Sequence, residues 1–283
     1  TIATPAAHPG PDGATRLMFL GDSLTTEPGC WRALVWRALT DAGYAIDAVG
    51  PNTVDDCEAV TNTAGAPWDP DNAGYEGIKA TAIPSIIVRD DLLDGYRPQV
   101  IVMLLGTNDV WNHAPADAVI DQYQLLLDDF RQYDPAIVLV IGTLPPVSAE
   151  RCSWCQPVID ELNPAIVEWA ARASTPESPV YAASLDVGFD VVADTRDGVH
   201  PNATGDEKVA AAFLPAISAS LDTIEARKRG ATSPLAWIAF AAALLATGSV
   251  LVAARKRTAT TRRRDESTDD SEPPWIGPPD DES

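Results

Sequence analysis

Short, wholly apolar runs alternate with stretches of helical periodicity along this chain, and that alternation restricts its fold more than any other feature. Leu17–Leu20, Val100–Leu105 and Ile137–Ile141 are continuous runs of strand length. A strand with no polar alternation has to be covered on both faces, as the strands of a parallel sheet are. Ala45–Val49 and Pro179–Leu185 read as two further strands. Strands alternating with helices predict an α/β domain, a doubly wound five-stranded parallel sheet with its functional residues at the carboxyl ends of the strands.

The intervening helices show in the apolar spacing. Trp31, Leu34, Val35, Ala38 and Leu39 recur at i, i+3, i+4, i+7 and i+8, and Gly43 closes the helix they mark. Ile83, Ile86, Ile87 and Leu93 mark a second; Val119, Tyr123, Leu126, Leu127 and Phe130 a third; Ile159, Leu162, Ile166 and Trp169 a fourth. Val209, Phe213 and Ile217 lie on a last helix, expected to bend at Pro215. The polar loop from Gly50 to Gly77 is long for a compact domain, and loops of that length are usually functional.

Three strand ends carry reactive residues. The first run breaks at Gly21-Asp22-Ser23, the Val100–Leu105 run at Gly106-Thr107-Asn108-Asp109, and the soluble part closes with Asp197-Gly198-Val199-His200-Pro201. Acyl transfer needs a nucleophile, a base, an orienter for the base and donors for the oxyanion. Ser23 supplies a hydroxyl at a sheet edge, and His200 an imidazole with Asp197 three residues before it on one loop. The Asn108 amide and backbone N–H groups at Ser23 and a flexible glycine supply donors. Singly, each is an ordinary turn residue; together they point to a serine esterase. The other histidines compete poorly: His8 lies in the Ala/Pro/Gly-rich leader, and His113, four residues beyond Asp109, either lines the site or, the preferred reading, is a loop residue without a chemical role.

Charge narrows the partners. The formal net charge of −21 is carried by the residues up to Asp222, while the remainder balances 9 basic against 9 acidic residues. An acidic surface of this size disfavours nucleic acid and anionic membranes as ligands. Cys30, Cys57, Cys152 and Cys155 all precede the long apolar segment, and an even count there suggests oxidised pairs, with three connectivities open. Cys152-Ser153-Trp154-Cys155 lacks the βαβ start of a redox motif and the second ligand pair of a zinc site, so a structural disulfide is the preferred reading.

Leu235–Ala254 is 20 residues without a charge, enough to cross a bilayer. Three basic residues precede it (Arg227, Lys228, Arg229) and six follow within Arg255–Arg264, which places the C-terminal side in the cytoplasm and the domain outside. The expected organisation is a flexible leader over 1–15, a catalytic domain over 16–222, a linker over 223–234, the membrane helix over 235–254, and a basic then acidic disordered tail over 255–283. The numbering opens at Thr1 without an apolar h-region, so any export signal is expected to have been removed. Asn202-Ala203-Thr204 is a formal glycosylation sequon that lies too near His200 to be used.

Over Leu17 to Leu221 the sequence resembles the SGNH, or GDSL-type, hydrolases. Their signature residues match Ser23 in Gly-Asp-Ser, Gly77, Asn108 in Gly-x-Asn-Asp, and His200 with Asp197. Within that group it is most similar to carbohydrate esterase family three, the acetylxylan esterases, through Thr26…Cys30-Trp31-Arg32-Ala33, Gly74-Tyr75-Glu76-Gly77, Leu105–Asp109 and Asp197–Gly205. The resemblance implies a flavodoxin-like sheet, Ser23 as nucleophile, His200 as base and Asp197 as its orienter. It also implies an oxyanion hole from the Ser23 and Gly77 N–H groups with Asn108, and no metal or cofactor. Together with their placement about the second strand, it implies a Cys30–Cys57 bridge. The second motif, Asn72–Ile78, lacks the His and Trp that family members often carry, a departure that touches the choice of glycan more than the chemistry. The expected protein is a membrane-anchored, outward-facing esterase removing short acyl groups, acetyl first, from a carbohydrate. The alternatives are a lipid or thioester hydrolase on the same fold, or a silent glycan-binding receptor.

Overall fold

The structure, a computed structural model, describes residues 11–232 except 27, 54–56, 58 and 59. In chain order the elements are β1 (Thr15–Gly21), α1 (Ser23–Thr26), α2 (Trp31–Asp41), β2 (Ile46–Ala48), β3 (Ala73–Gly74), a 3₁₀ turn (Ala80–Ala82) and α3 (Ile83–Arg89). There follow β4 (Val100–Leu104), α4 (Thr107–Trp111), α5 (Ala116–Tyr133), β5 (Val138–Gly142), α6 (Cys155–Ala173), β6 (Val180–Ala183) and α7 (Ala203–Thr232). The five expected strands form one parallel sheet in the order β2-β1-β4-β5-β6. β1 therefore neighbours both β2 and β4, and the chain reverses its direction of travel across the sheet between β1 and β4. That reversal opens a crevice at the strand ends, where α/β proteins bind ligands. Ser23 follows β1 and Asn108 follows β4, so the two rim this crevice.

β4 and β5 are buried at every residue, which explains their unbroken apolar sequence. Trp31 of α2 stacks on Phe213 of α7 with centroids 4.9 Å apart and meets Phe19 of β1 edge-on at 5.5 Å, so α2 and α7 share one face of the sheet. On the other side α5 packs against α3 and α6, and Tyr123 tilts onto Trp169 at 5.8 Å. Along α7, Val209, Phe213, Ile217, Leu221 and Ile224 are buried, and Pro215 lies inside the helix. By length and composition α7 could also cross a membrane, but this buried stripe makes it the closing core helix of the domain. It runs on to Thr232, through most of the stretch read from sequence as a linker. Leu235–Ala254, the tail 255–283 and residues 1–10 of the leader lie outside the described residues.

Two features differ from the sequence reading in detail. The helix expected to reach Leu93 stops at Arg89, because Asp91 adopts a left-handed φ of 51° and turns the chain. A sixth, two-residue strand, β3, pairs with Leu20 and Gly21 of β1 from within the long polar loop. Its Ala-Gly sequence carries no strand signal. Cys30 is bonded to Cys57 and Cys152 to Cys155. The first bridge ties the start of α2 to the loop before β3 and, on the chain-entropy model, is worth about 3.5 kcal/mol.

Candidate active site

β1 ends in a turn that only a bare backbone permits: a Cβ on Gly21 would lie 2.1 Å from Thr25 Oγ1 and 2.5 Å from the Leu104 carbonyl oxygen. The turn leads straight into α1, whose first residue is Ser23. Asp22 organises it. Its Oδ1 accepts the Leu24 N–H at 3.0 Å, and its carbonyl accepts Thr25 and Thr26 at 3.0 and 3.1 Å. The Ser23 N–H is not among those it takes up.

The loop that carries His200 is locked from several sides. Gly198 donates its N–H to Thr195 Oγ1 at 2.9 Å and has φ 88°, and the Arg196 N–H reaches the His200 carbonyl at 2.9 Å. Asn202 holds the far end: its Oδ1 accepts the Thr204 and Gly205 N–H groups at the start of α7, and its Nδ2 donates to the Ala193 carbonyl at 2.8 Å. The sequon asparagine is thus a helix cap with its amide engaged. Behind the loop, buried Asp194 pairs with Lys208 at 2.6 Å.

These constraints bring His200 between Ser23 and Asp197. His200 Nε2 lies 2.9 Å from Ser23 Oγ, and Nδ1 lies 2.8 Å from Asp197 Oδ2. Asp197 Oδ1 also accepts the His200 and Val199 N–H groups at 2.8 and 3.0 Å. Burial alone would push the Asp197 carboxyl up, but those N–H groups and the His200 ring outweigh it and hold it at about 2. The carboxylate therefore stays ionised across the neutral range and is suited to accept an Nδ1–H, the tautomer in which Nε2 can accept from the Ser23 hydroxyl.

On the opposite side, α4 is preceded by Gly106, whose φ of 117° disfavours other residues and on which a Cβ would meet the Tyr123 hydroxyl at 2.6 Å. Asn108, in its first turn, donates from Nδ2 to Asp22 Oδ2 at 3.3 Å, which fixes the amide next to Ser23 and leaves its second hydrogen for a ligand. The Tyr75 N–H donates to the Gly21 carbonyl at 2.9 Å, drawing the segment that leads to Gly77 along the same strand end. Gly77 has φ 69° with open space around it, so backbone conformation rather than crowding calls for glycine.

Sequence reading named the motifs Gly-Asp-Ser and Gly-x-Asn-Asp but gave their acids no task. Both are buried. Asp22 orients Asn108, and Asp109 Oδ2 accepts the Ala80 N–H at 2.9 Å, tying α4 to the 3₁₀ turn. Burial lifts the Asp22 carboxyl from 3.8 to about 7; the Leu24 N–H opposes this and repulsion from Asp109 adds to it. Burial likewise lifts Asp69 to about 7 and Asp206 to about 6. For such groups the unfolded chain ionises first as pH rises. Their contribution therefore favours folding at low pH and is lost between the ordinary value and the folded one. Asp197, held low, acts in the opposite sense only below about pH 4. The melting temperature is expected to be several degrees higher at pH 5 than at pH 8; a higher value at pH 8 in a thermal melt series would contradict these assignments.

A serine hydroxyl bonded to an imidazole, beside an oriented amide at the crevice of a doubly wound sheet, is an arrangement suited to acyl transfer from esters. The chain belongs to the GDSL-like lipase/acylhydrolase family, whose model matches residues 19–208. A carbohydrate esterase of family 3 from Talaromyces cellulolyticus is 32% identical, with a TM-score of 0.63 over 74% of this chain and 98% of its own. The crystal structure of an acetyl esterase mutant with acetate ion is 31% identical, with a TM-score of 0.64 over 74% of this chain and 99% of its own. A multidomain esterase of Ruminococcus flavefaciens is 29% identical over 228 residues, which are 74% of this chain; the match spans only 29% of that relative's length.

Proposed function

We propose that this protein is a serine esterase that removes short acyl groups, acetyl first, from a carbohydrate, with xylan foremost by resemblance and cell-envelope glycans as the alternative. The observation that carries the mechanism is the continuous hydrogen-bonded chain from Ser23 Oγ through the His200 ring to Asp197. Ser23 Oγ attacks the ester carbonyl carbon while His200 Nε2 takes its proton, and Asp197 steadies the resulting imidazolium. The tetrahedral oxyanion accepts the Ser23 and Gly77 N–H groups and the free Asn108 amide hydrogen. Collapse expels the sugar oxygen, which takes the proton from His200 and leaves an acetyl-serine. Water then repeats the sequence and releases acetate.

The choice of acetyl and of carbohydrate rests on the similarity to an acetyl esterase and a family 3 carbohydrate esterase, each above 30% identity. It is tested by incubating the protein with acetylated xylan, acetylated cell-envelope glycan and aryl esters of increasing acyl length. Acetate release from a glycan, with rates on aryl esters falling beyond short chains, is expected. Preference for long acyl chains with no action on any glycan would overturn it in favour of lipid hydrolysis.

The site serves a domain over 16–222 that faces outward, anchored by Leu235–Ala254. The six-to-three basic asymmetry and the disulfides support this arrangement. Protease added to intact cells should remove the domain and spare the tail; a protected domain would reverse the topology.

A further inference from the structure

The Cys152–Cys155 turn and His113 have no part in the acyl chemistry, yet the fold brings them together from two segments that lead to the site. Both half-cystines are buried, while Trp154 between them stays 40% exposed. The His113 ring stacks on the Trp154 indole with centroids 4.4 Å apart and planes 20° from parallel. His113 pays for its place with a left-handed φ of 64°, a conformation that residues with a side chain seldom adopt.

Each half of the stack belongs to a different arm of the active site. His113 closes the turn after α4: its N–H donates to the Val110 carbonyl at 2.9 Å, and the Asn112 amide donates to the carbonyl of Asn108 at 2.7 Å. Trp154 belongs to the loop that backs the His200 segment. There the Ser148 N–H donates to the Gly198 carbonyl at 2.8 Å, and a Cβ on Gly198 would lie 2.8 Å from Ser148 Cβ and 2.9 Å from Arg151 Cγ. The aromatic pair therefore bridges the oxyanion arm and the base arm, which converge on Ser23.

We infer that the His113–Trp154 stack is the platform on which the sugar ring carrying the ester lies, a specificity-determining surface on the leaving-group side of the reaction. This rests on the carbohydrate reading above. A pyranose has a flat C–H face that gains dispersion and loses water against an indole, and a rim of hydroxyls that needs polar neighbours. The platform offers both, since Asn112, Arg151 and Ser153 around it are exposed. An acyl chain would need an enclosed apolar wall, and this surface is open. The disulfide's role is to hold Trp154 in place, so that little side-chain freedom is lost on binding.

The test compares the full-length protein with Trp154→Ala, Trp154→Phe and His113→Ala on two acetyl donors, an acetylated xylo-oligosaccharide and ethyl acetate, which has no ring to stack. Trp154→Ala is expected to raise KM for the oligosaccharide and to lower the ratio of its kcat/KM to that for ethyl acetate about tenfold, roughly the effect of one lost aromatic contact. Trp154→Phe should restore most of that ratio, and His113→Ala should lower it less. An unchanged ratio in Trp154→Ala, whether both rates hold or both fall together, would overturn the platform while leaving the carbohydrate reading intact. A wild-type protein that cleaves ethyl acetate but no acetylated oligosaccharide would overturn that reading and the platform with it.

Discussion

Replacing Ser23 by alanine is expected to abolish ester hydrolysis, with kcat falling by on the order of 10⁴ or more, and to leave the fold unchanged. Ser23 Oγ is bonded to His200 at 2.9 Å and opens a four-residue helix, so one hydroxyl holds little structure there. The turn is shaped instead by Asp22 and by the close approach of Gly21 to Thr25, both of which survive the substitution. Unfolding midpoints of the two proteins should coincide. Retained turnover in Ser23→Ala would remove the covalent mechanism altogether.

The second large effect concerns His200 and Asp197. His200→Ala should be nearly as damaging as the serine change, because an unassisted hydroxyl is a poor nucleophile near neutral pH. Asp197→Asn should keep the loop closed, since an amide oxygen can still accept the His200 and Val199 N–H groups. Its NH₂ would face Nδ1, however, and force the proton to Nε2, which then cannot accept from Ser23. A loss of about 10²–10⁴ in kcat is expected, with KM little changed. Asn108→Ala, which removes one oxyanion donor, should cost on the order of 10²–10³. Steady-state kinetics on a short aryl ester rank the set; near-normal activity in His200→Ala would refute the assignment of the base.

Much of this arrangement was legible in the sequence, for identifiable reasons. The unbroken runs that become β4 and β5 have to be covered on both faces, and that demand alone implies a parallel sheet with its reactive residues at one edge. Ser23, Asn108 and His200 stood out as candidates because acyl chemistry needs those residue types at strand ends, and the fold brings them to one crevice. What stayed hidden depends on contacts distant in sequence. Asp22 looks like a solvated turn acid until burial shows it holding the Asn108 amide 86 positions away. β3 is two small residues in a polar loop, with no periodicity to read. Trp154 sits in a stretch of loop composition, and nothing local to it announces that His113 will lie against its ring.

The most direct test of the central claim, that Ser23 is the nucleophile of this esterase, is to treat the protein with a fluorophosphonate and map the adduct by peptide mass spectrometry. The label is expected on Ser23, with activity lost in proportion, and on neither Ser23→Ala nor protein first saturated with an acetyl donor. An adduct on another serine, or none on a protein that still hydrolyses esters, would contradict it.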